Sequence, residues 1–344
     1  MSSVNHCLTH YITALTRGGA VPMTVSQPVL DERASLPTRA GGGLTLALIS
    51  AAAFSLAGPF GQSLMAIGWS PGAVVLLRLT LATLALLPLA LRAVAGRWRR
   101  TLAAWPLLLA YGALGAAGCQ LFYFMAVQRL SVSVALMLEY SSPVLIMLGA
   151  WLVTRRRPGP MTLVGTVIAM LGLALVLNVF GGVRLDALGI VFGLLAAVGS
   201  ATYFVVGSRS SADLPPIVLA TGGLGIGAVI LLVFGLIGVL PLVIVPGQVV
   251  LGGVSMGWWV PLLGIALISG SVSYATGIAA STRLGPRVAS FVGLLELLFA
   301  CLLAWLLVGE RPGLGQLVGG AVILLGITLV KWDELRASSR ELLG

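Results

Sequence analysis

Two stretches of the chain decide its fold because each repeats the other: RLSVSVALMLEYSSPVLIMLGAWLVTRRRPGPMTLVGTVIAMLG (129–172) and RLGPRVASFVGLLELLFACLLAWLLVGERPGLGQLVGGAVILLG (283–326). A constant offset of 154 positions aligns Arg-Leu at 129 and 283, Ala-Trp-Leu at 150 and 304, and Arg-Pro-Gly at 157 and 311. Gly165 and Gly172 fall on Gly319 and Gly326 in the same register. Chance likeness between apolar helices does not match Trp, Pro, Gly and Arg in one gapless register. The sequence therefore predicts an internal duplication.

The composition places both copies in a membrane. Hydrophobic residues make up 58% of the chain and charged residues 9%, against about 25% charged in an average soluble domain. A membrane-spanning helix needs about 20 apolar residues. We predict an all-α membrane protein with ten transmembrane helices, and an uncharged loop or interfacial turn at 239–256. The predicted spans are 44–67, 71–93, 103–127, 131–153, 160–180, 187–208, 215–238, 257–282, 286–308 and 313–331.

The spans fall into two five-helix repeats, 44–180 and 187–331. Because five is odd, the second repeat must be inverted in the membrane relative to the first. Inverted repeats are typical of secondary transporters, whose solute site lies near the midplane between the halves. Residues 1–43 are predicted to form a flexible cytoplasmic extension and residues 332–344 a cytoplasmic tail.

The basic residues predict the orientation. With the N-terminus inside, the cytoplasmic segments hold sixteen basic residues, and the outside holds Arg129, Arg184 and Arg311. This asymmetry favours both termini in the cytoplasm of a cell with an inner (plasma) membrane. The net charge of +10 is then explained by loops that face anionic lipid headgroups rather than by nucleic acid.

Several kinds of chemistry are disfavoured. The three cysteines, Cys7, Cys119 and Cys301, show neither a disulfide framework nor zinc-like spacing, so we expect no metal and no cofactor. A P-loop needs a Gly-Lys-Ser/Thr element, and the one lysine of the chain, Lys331, does not supply it. A membrane-embedded transferase is a rival interpretation, but the aspartates are isolated outside the predicted spans. We predict that the chain is not an enzyme.

Three charges lie inside the predicted spans: Arg78, Glu139 and Glu296. A charge in hydrocarbon costs several kcal/mol and usually marks an internal pathway. One or both glutamates could bind a substrate ammonium group or couple export to proton entry, since a desolvated carboxyl can exchange a proton near neutral pH. Alternatively, a protonated glutamate is hydrogen-bonded between helices. Arg78 could pair with a carboxylate, in the protein or on the substrate; alternatively, it snorkels toward the membrane surface or forms a fixed structural ion pair.

Neutral polar and aromatic side chains accompany these charges and could hold the backbone of an amino acid. Residues three or four apart share a helix face, as Gln120 does with Tyr123 and Phe124. Further candidates are Tyr140, Ser142, Ser273 and Tyr274. The alternative for each is interhelical hydrogen bonding or aromatic packing. Pro143 removes a backbone hydrogen bond within its span and is either a hinge or a static kink.

The motifs Leu121-Phe122-Tyr123-Phe124-Met125-Ala126, Ala135-Leu136-Met137-Leu138-Glu139-Tyr140-Ser141-Ser142-Pro143, Leu294-Leu295-Glu296 and Leu307-Val308-Gly309-Glu310-Arg311 carry a family resemblance. The chain resembles EamA-type carriers of the drug/metabolite transporter superfamily, and among them it is most similar to bacterial threonine/homoserine exporters. The resemblance implies a ten-helix carrier whose cavity is lined by its third, fourth, eighth and ninth helices. Leu297 stands where the family often has proline, so we expect a weaker helix break there.

The sequence thus predicts a secondary transporter that exports small metabolites, amino acids such as threonine or homoserine, by alternating access, with proton coupling left open. A multidrug or lipid-type efflux carrier on the same scaffold is the alternative. The expected partners are a small-molecule substrate and the lipid bilayer, and both a monomer and a homodimer fit the sequence.

Overall fold

The structure, a computed structural model, describes residues 36–96, 98–127, 129–130, 132–155, 157–178, 186–210, 214–308 and 313–341. These residues are mostly helical, as the apolar composition predicts. The helices are α1 (Leu36–Ser55), α2 (Ala57–Ala66), α3 (Pro71–Val94), α4 (Trp98–Ala103), α5 (Trp105–Ala110), α6 (Cys119–Val127), α7 (Val132–Glu139), α8 (Ser142–Thr154), α9 (Pro160–Val176), α10 (Ala187–Gly207), α11 (Pro216–Leu236), α12 (Trp259–Leu263), α13 (Ser273–Gly293), α14 (Leu295–Val308) and α15 (Leu314–Glu341). Two π-helical segments, Tyr111–Gly118 and Gly264–Val272, connect α5 to α6 and α12 to α13.

Eight helical stretches within the described residues are long and apolar enough to cross a membrane. They are Gly42–Ala66, Pro71–Val94, Trp105–Tyr123, Val134–Thr154, Ala187–Gly207, Pro216–Leu236, Trp259–Gly293 and Leu314–Asp333. Helix α9 is apolar but has only 17 residues. The chain is therefore a multi-pass membrane protein.

One of these stretches contains the junction between the predicted eighth and ninth spans. The run Trp259–Gly293 is interrupted at Gly285, whose φ of 77° and ψ of 162° are not helical. Pro286 follows and cannot donate a backbone hydrogen bond to the preceding turn. The predicted ninth span is itself divided, because α13 ends at Gly293 and α14 begins at Leu295.

Helices α9 and α15 pack closely and run antiparallel. A Cβ placed on Gly165 would lie 2.8 Å from the carbonyl oxygen of Gly326, and one on Gly172 would lie 2.7 Å from that of Gly319. Glycine permits this approach of two backbones, which is a common way to associate helices in lipid. At the start of α9, the backbone N–H and the hydroxyl of Thr162 both donate to the Asp333 carboxylate, at 3.1 and 2.6 Å.

The segment predicted as a loop, 239–256, includes a β-hairpin. Strands β1 (Gln248–Leu251) and β2 (Val254–Gly257) are antiparallel, and the turn between them consists of two glycines with positive φ, Gly252 and Gly253. The segment before the hairpin is fixed to the turn between α2 and α3. The Ser70 hydroxyl donates to the Pro241 carbonyl at 2.7 Å, and the Trp69 indole donates to the Val245 carbonyl at 2.7 Å.

The two ends of the described chain are more helical than the predicted boundaries. Helix α1 begins at Leu36, within the predicted extension 1–43, of which residues 1–35 lie outside the described part. Helix α15 continues to Glu341 through most of the predicted tail 332–344.

The α9–α15 contact makes a prediction about stability. We expect Gly172→Ala to lower the free energy of unfolding by about 1–3 kcal/mol, because the added methyl group would press on backbone atoms of α15. The melting temperature of the detergent-purified protein measures this change. Gly149→Ala is the matched control, since a Cβ at Gly149 meets no atom within 4 Å. Equal melting temperatures of the two variants would contradict the contact.

Candidate functional site

A cavity of about 900 Å³ lies inside the helix bundle. Its walls come from α1, α2, α3, α6, α7, α8, α10, α13, α14 and the two π-helical segments, and residues 250–252 of the hairpin reach it at one end. Eight of the predicted site residues line it: Arg78, Gln120, Tyr123, Glu139, Tyr140, Ser142, Tyr274 and Glu296. The structure thus brings these eight side chains to one internal compartment, and their role in binding or coupling stays a prediction.

Arg78 is held by neutral groups in the wall. Its side chain is only 6% exposed, and one terminal nitrogen donates to both the carbonyl and the hydroxyl oxygen of Ser269, at 2.6 and 3.0 Å. The other terminal nitrogen donates to Gln120 Oε1 at 3.4 Å. Arg129 and Asp186 form an ion pair elsewhere, but within the described residues no carboxylate is paired with Arg78. The fixed structural ion pair considered for Arg78 is therefore absent from this part of the chain.

A π-helical turn supplies the main acceptor for Arg78. Ser269 lies in the segment Gly264–Val272, where the backbone hydrogen bonds follow the wider π-helical pattern. π-Helical turns interrupt the regular α-helical ladder and are frequent at functional sites. The Ser269 carbonyl also accepts a hydrogen bond from the Ser273 hydroxyl.

Gln120 and Tyr274 connect the two repeats across the cavity. The Gln120 amide donates to the Tyr274 hydroxyl at 3.0 Å. The Tyr274 ring packs edge-on against Phe54 and Tyr203, with centroid distances of 5.1 and 5.5 Å. The centroid of the Phe54 ring also lies 5.7 Å from the guanidinium carbon of Arg78, within the range of a cation–π contact. The cation thus belongs to a polar and aromatic cluster.

Both glutamates lie at breaks in their helices. Glu139 is the last residue of α7, and residues 140–141 form a turn before α8. Glu296 is the second residue of α14, directly after the break at Leu294. Discontinuous helices near the midplane are where many secondary transporters bind solute.

Each carboxyl group has a neutral partner. The Cys119 thiol donates to Glu139 Oε1 at 3.2 Å, and Tyr140 is hydrogen-bonded to Glu296. Both glutamates line the cavity and are partly exposed to it. Both carboxyl groups are therefore accessible to a molecule inside the cavity.

Two predicted residues, Ser273 and Pro143, are not brought into the cavity lining. Ser273 is completely buried in the wall. Pro143 is buried in the first turn of α8, where proline is well tolerated, and it directly follows the break. Phe124 lies on α6, but its side chain is outside the described part of the chain. The second break, at Leu294, forms although Leu297 stands where the family often has proline. Proline is therefore not needed to form this break.

Sequence reasoning missed four residues of the site: Phe54, Cys119, Tyr203 and Ser269. Phe54, Cys119 and Tyr203 line the cavity, and Ser269 binds Arg78. Phe, Cys and Tyr are common residue types in apolar helices, so Phe54, Cys119 and Tyr203 carry no distinct sequence signal. Ser50 lies one turn before Phe54 on α1 and also lines the cavity. This spacing is the one indication that α1 faces the site.

The cavity can interact with both signs of charge. It contains one guanidinium group, two carboxyl groups and several hydroxyl and amide groups, in a wall otherwise made of apolar side chains. Within the described residues, no cluster of three or more His, Cys, Asp or Glu side chains could hold a metal ion. A multi-pass helical bundle around such a compartment has the architecture of a membrane transporter.

The comparison with known proteins identifies the family. Residues 41–178 and 187–332 each match the EamA-like transporter family. The chain belongs to this family, and the two matches coincide with the two halves of the internal duplication.

Three comparisons show how the chain relates to other proteins. It is 28% identical to an uncharacterized transporter of Archaeoglobus fulgidus over 268 residues, which cover 78% of this chain and 89% of the relative. It is 28% identical to the threonine/homoserine exporter RhtA of Escherichia coli K12 over 301 residues, which cover 85% and 92%. A solved crystal structure with 17% identity has the same fold, with a TM-score of 0.66 and coverage of 86% of this chain and 98% of that one.

The contacts of Arg78 make a prediction about this site. We expect Arg78→Lys to lower the free energy of unfolding by about 1–3 kcal/mol, because one ammonium group cannot reach the Ser269 and Gln120 acceptors together. Thermal unfolding in detergent measures the change. Arg99→Lys, at an exposed position, should leave the melting temperature unchanged. If the two variants melted together, the contacts of Arg78 would not contribute to stability.

Proposed function

We propose that this protein is a secondary transporter that exports small amino acids, such as threonine or homoserine, by alternating access. The observation that carries the proposal is the separation of charges in the cavity. Arg78 is bound to Ser269 and Gln120, while Glu139 and Glu296 are bound to Cys119 and Tyr140. The cavity therefore presents a cation and two carboxyl groups that do not neutralise one another at contact distance.

A zwitterionic amino acid complements this arrangement. Its carboxylate can approach Arg78, and its ammonium group can approach a glutamate. Each contact is a charge-assisted hydrogen bond, which is about twice as strong as a neutral one. The two glutamates also offer a place for a coupling proton, since one carboxyl group can bind the ammonium group while the other exchanges a proton with the cavity. The similarity to a protein named a threonine/homoserine exporter supports the same substrate class.

We further propose ten transmembrane helices arranged as two inverted repeats. Helices α9 and α14, which fall short of the other spans, would complete five helices in each half. Glycines that are equivalent at the offset of 154 contact each other reciprocally: Gly165 faces Gly326, and Gly172 faces Gly319. Reciprocal contacts of this kind are expected where two copies are related by a two-fold axis. The antiparallel direction of α9 and α15 supports an axis in the membrane plane.

We also propose that the protein lies in the inner membrane with both termini in the cytoplasm. The excess of basic residues on one side supports this orientation. Arg155 and Arg157 follow α8, and Arg209 follows α10. All three would then face the cytoplasm, while the hairpin Gln248–Gly257 would face the outside.

One observation favours a second candidate function. The cavity of about 900 Å³ is near the upper end of the range of about 300–1,000 Å³ for small-molecule sites. Much of its wall is apolar, with Phe54, Met65, Val74 and Ile265 among its members. A larger amphipathic solute would fill it better than threonine, so a multidrug or lipid-type efflux carrier is the alternative.

The proposal is tested by transport into everted membrane vesicles with an imposed pH gradient. We expect labelled threonine or homoserine to accumulate, and Glu139→Gln to reduce the rate about ten- to hundredfold, because the charged acceptor for the ammonium group is lost. The same panel should include other amino acids and a cationic hydrophobic dye.

Asp186→Asn is the matched control, because it also removes a carboxylate while the side-chain oxygen that accepts from the Gly189 N–H, at 2.8 Å, is retained. It should transport like the unmodified protein. Transport of the dye without any amino acid would favour the second candidate. An unchanged rate for Glu139→Gln would remove this residue from the mechanism.

A further inference from the structure

Among the described residues, the two halves of the bundle differ in their packing: a packed region on one side of the cavity has no packed equivalent on the other. On the packed side, α10 lies against α13. The Thr282 hydroxyl donates to the Gly207 carbonyl at 3.1 Å, and a Cβ on Gly207 would lie 3.5 Å from the Cβ of Ser281. A Cβ on Gly293 would lie 3.0 Å from the ring of Phe204.

The equivalent residues in the first half can be identified. The offset of 154 relates Gly293 to Glu139. For the first helix of each half the offset is 146, because the family matches begin at residues 41 and 187. The packing agrees with both offsets, since Gly43 lies against Leu284 just as Gly189 lies against Leu130.

With these offsets, Phe204 corresponds to Gly58 and Gly207 corresponds to Gly61. The closed contact between Phe204 and Gly293 therefore corresponds to a contact between Gly58 and Glu139. That contact is not made. Both residues line the cavity, and a Cβ on Gly58 meets no atom within 4 Å. Within the described residues, α1 and α2 do not pack extensively against α6 or α7, whereas α10 does pack against α13.

We propose that α10 and α13 form a closed gate in this structure and that Gly58 and Gly61, on α2, line the opposite gate. The inference rests on the proposed alternating access between inverted repeats. In such a carrier the second state is reached when each half takes the conformation of the other. The contact of Phe204 with Gly293 then opens, and α2 closes over the cavity with Gly58 against Glu139.

The hydrogen bond between Gln120 and Tyr274 supplies the pivot. These residues are separated by 154 positions, so each is the equivalent of the other. If the two halves exchange conformations, each of the two residues takes the position of the other. The same hydrogen bond is then made in both states. The α9–α15 glycine contacts are reciprocal in the same way. The contacts that change are those between α10 and α13.

A side chain introduced at Gly58 tests this assignment. It would meet no atom near its Cβ in the present state, but it would obstruct the closure of α2 in the second state. We expect Gly58→Leu to lower the transport rate by about tenfold or more, since the clash depopulates the second state, and Gly58→Ala to have a smaller effect. Gly149→Leu is the matched control, because a Cβ at Gly149 also meets no atom within 4 Å. Equal transport by Gly58→Leu and Gly149→Leu would overturn the assignment of Gly58 to the gate.

A disulfide provides the complementary test. The separation of 3.5 Å between a Cβ on Gly207 and the Ser281 Cβ falls within the range of about 3.5–4.5 Å for disulfides. In a background with Cys7→Ser and Cys301→Ala, the pair Gly207→Cys and Ser281→Cys should lose transport on oxidation and regain it on reduction. The reduced form controls for folding. Undiminished transport by the cross-linked protein would overturn the gate.

The labelling of Cys119 separates this proposal from the proposed function. Cys119 lines the cavity, so an impermeant maleimide should reach it from the hairpin face in this state and from the opposite face after the exchange. In the protein that retains Cys119 but lacks the introduced cysteine pair, we expect labelling from both faces. In the protein whose pair at positions 207 and 281 is oxidised, we expect labelling from the hairpin face only. Absence of amino-acid transport with this labelling pattern would reject the substrate but support the gate. Labelling from both faces after cross-linking would reject the gate.

Discussion

The buried guanidinium of Arg78 imposes the constraint on which the site depends. Hydrocarbon offers no partner to a cation, so a charge inside a membrane protein has to be bonded by the protein itself. Here the partner is the Ser269 carbonyl, in a π-helical turn. In a regular α-helix each carbonyl accepts from the N–H four residues on, and the π-helical turn departs from that pattern where the cation needs an acceptor. The unusual backbone and the buried charge therefore belong together.

The same constraint explains why the glutamates are kept apart from the arginine. An ion pair between Arg78 and a carboxylate would satisfy both charges and leave neither for a ligand. Instead, Glu139 is bonded to Cys119 and Glu296 to Tyr140, and both lie where a helix is interrupted. Neutral partners hold each carboxyl group in position, and neither group is paired with Arg78. This separation is what the proposed zwitterionic substrate, which carries both signs of charge, requires.

Part of this site could be predicted from the sequence. Charges in apolar spans must face the interior, which places Arg78, Glu139 and Glu296, and helical spacing adds Gln120 and Tyr123. The π-helical turns could not be predicted, because Tyr111–Gly118 and Gly264–Val272 differ little in composition from the α-helices around them. Phe54 and Cys119 were missed because they are ordinary members of an apolar helix.

The fold shows the same division between strong and weak signals. Length and apolarity identify most spans, but α9 has 17 residues, too few to be distinguished from a buried helix by length alone. Pro143 marked the first helix break, whereas the second, at Leu294, has no proline to reveal it. The hairpin did have a signal, since the glycine pair Gly252 and Gly253 directly follows the apolar run Val249-Val250-Leu251. The duplication preserves packing more closely than chemistry: at the offset of 154, Glu139 corresponds to Gly293 and Glu296 to Ser142. In the proposed alternating access, an exchange of conformations between the halves would therefore not place one carboxyl group where the other was. In the proposed exchange, the polar residues would form a fixed centre around the Gln120–Tyr274 hydrogen bond, and the glycines of the surrounding helices would allow the movement.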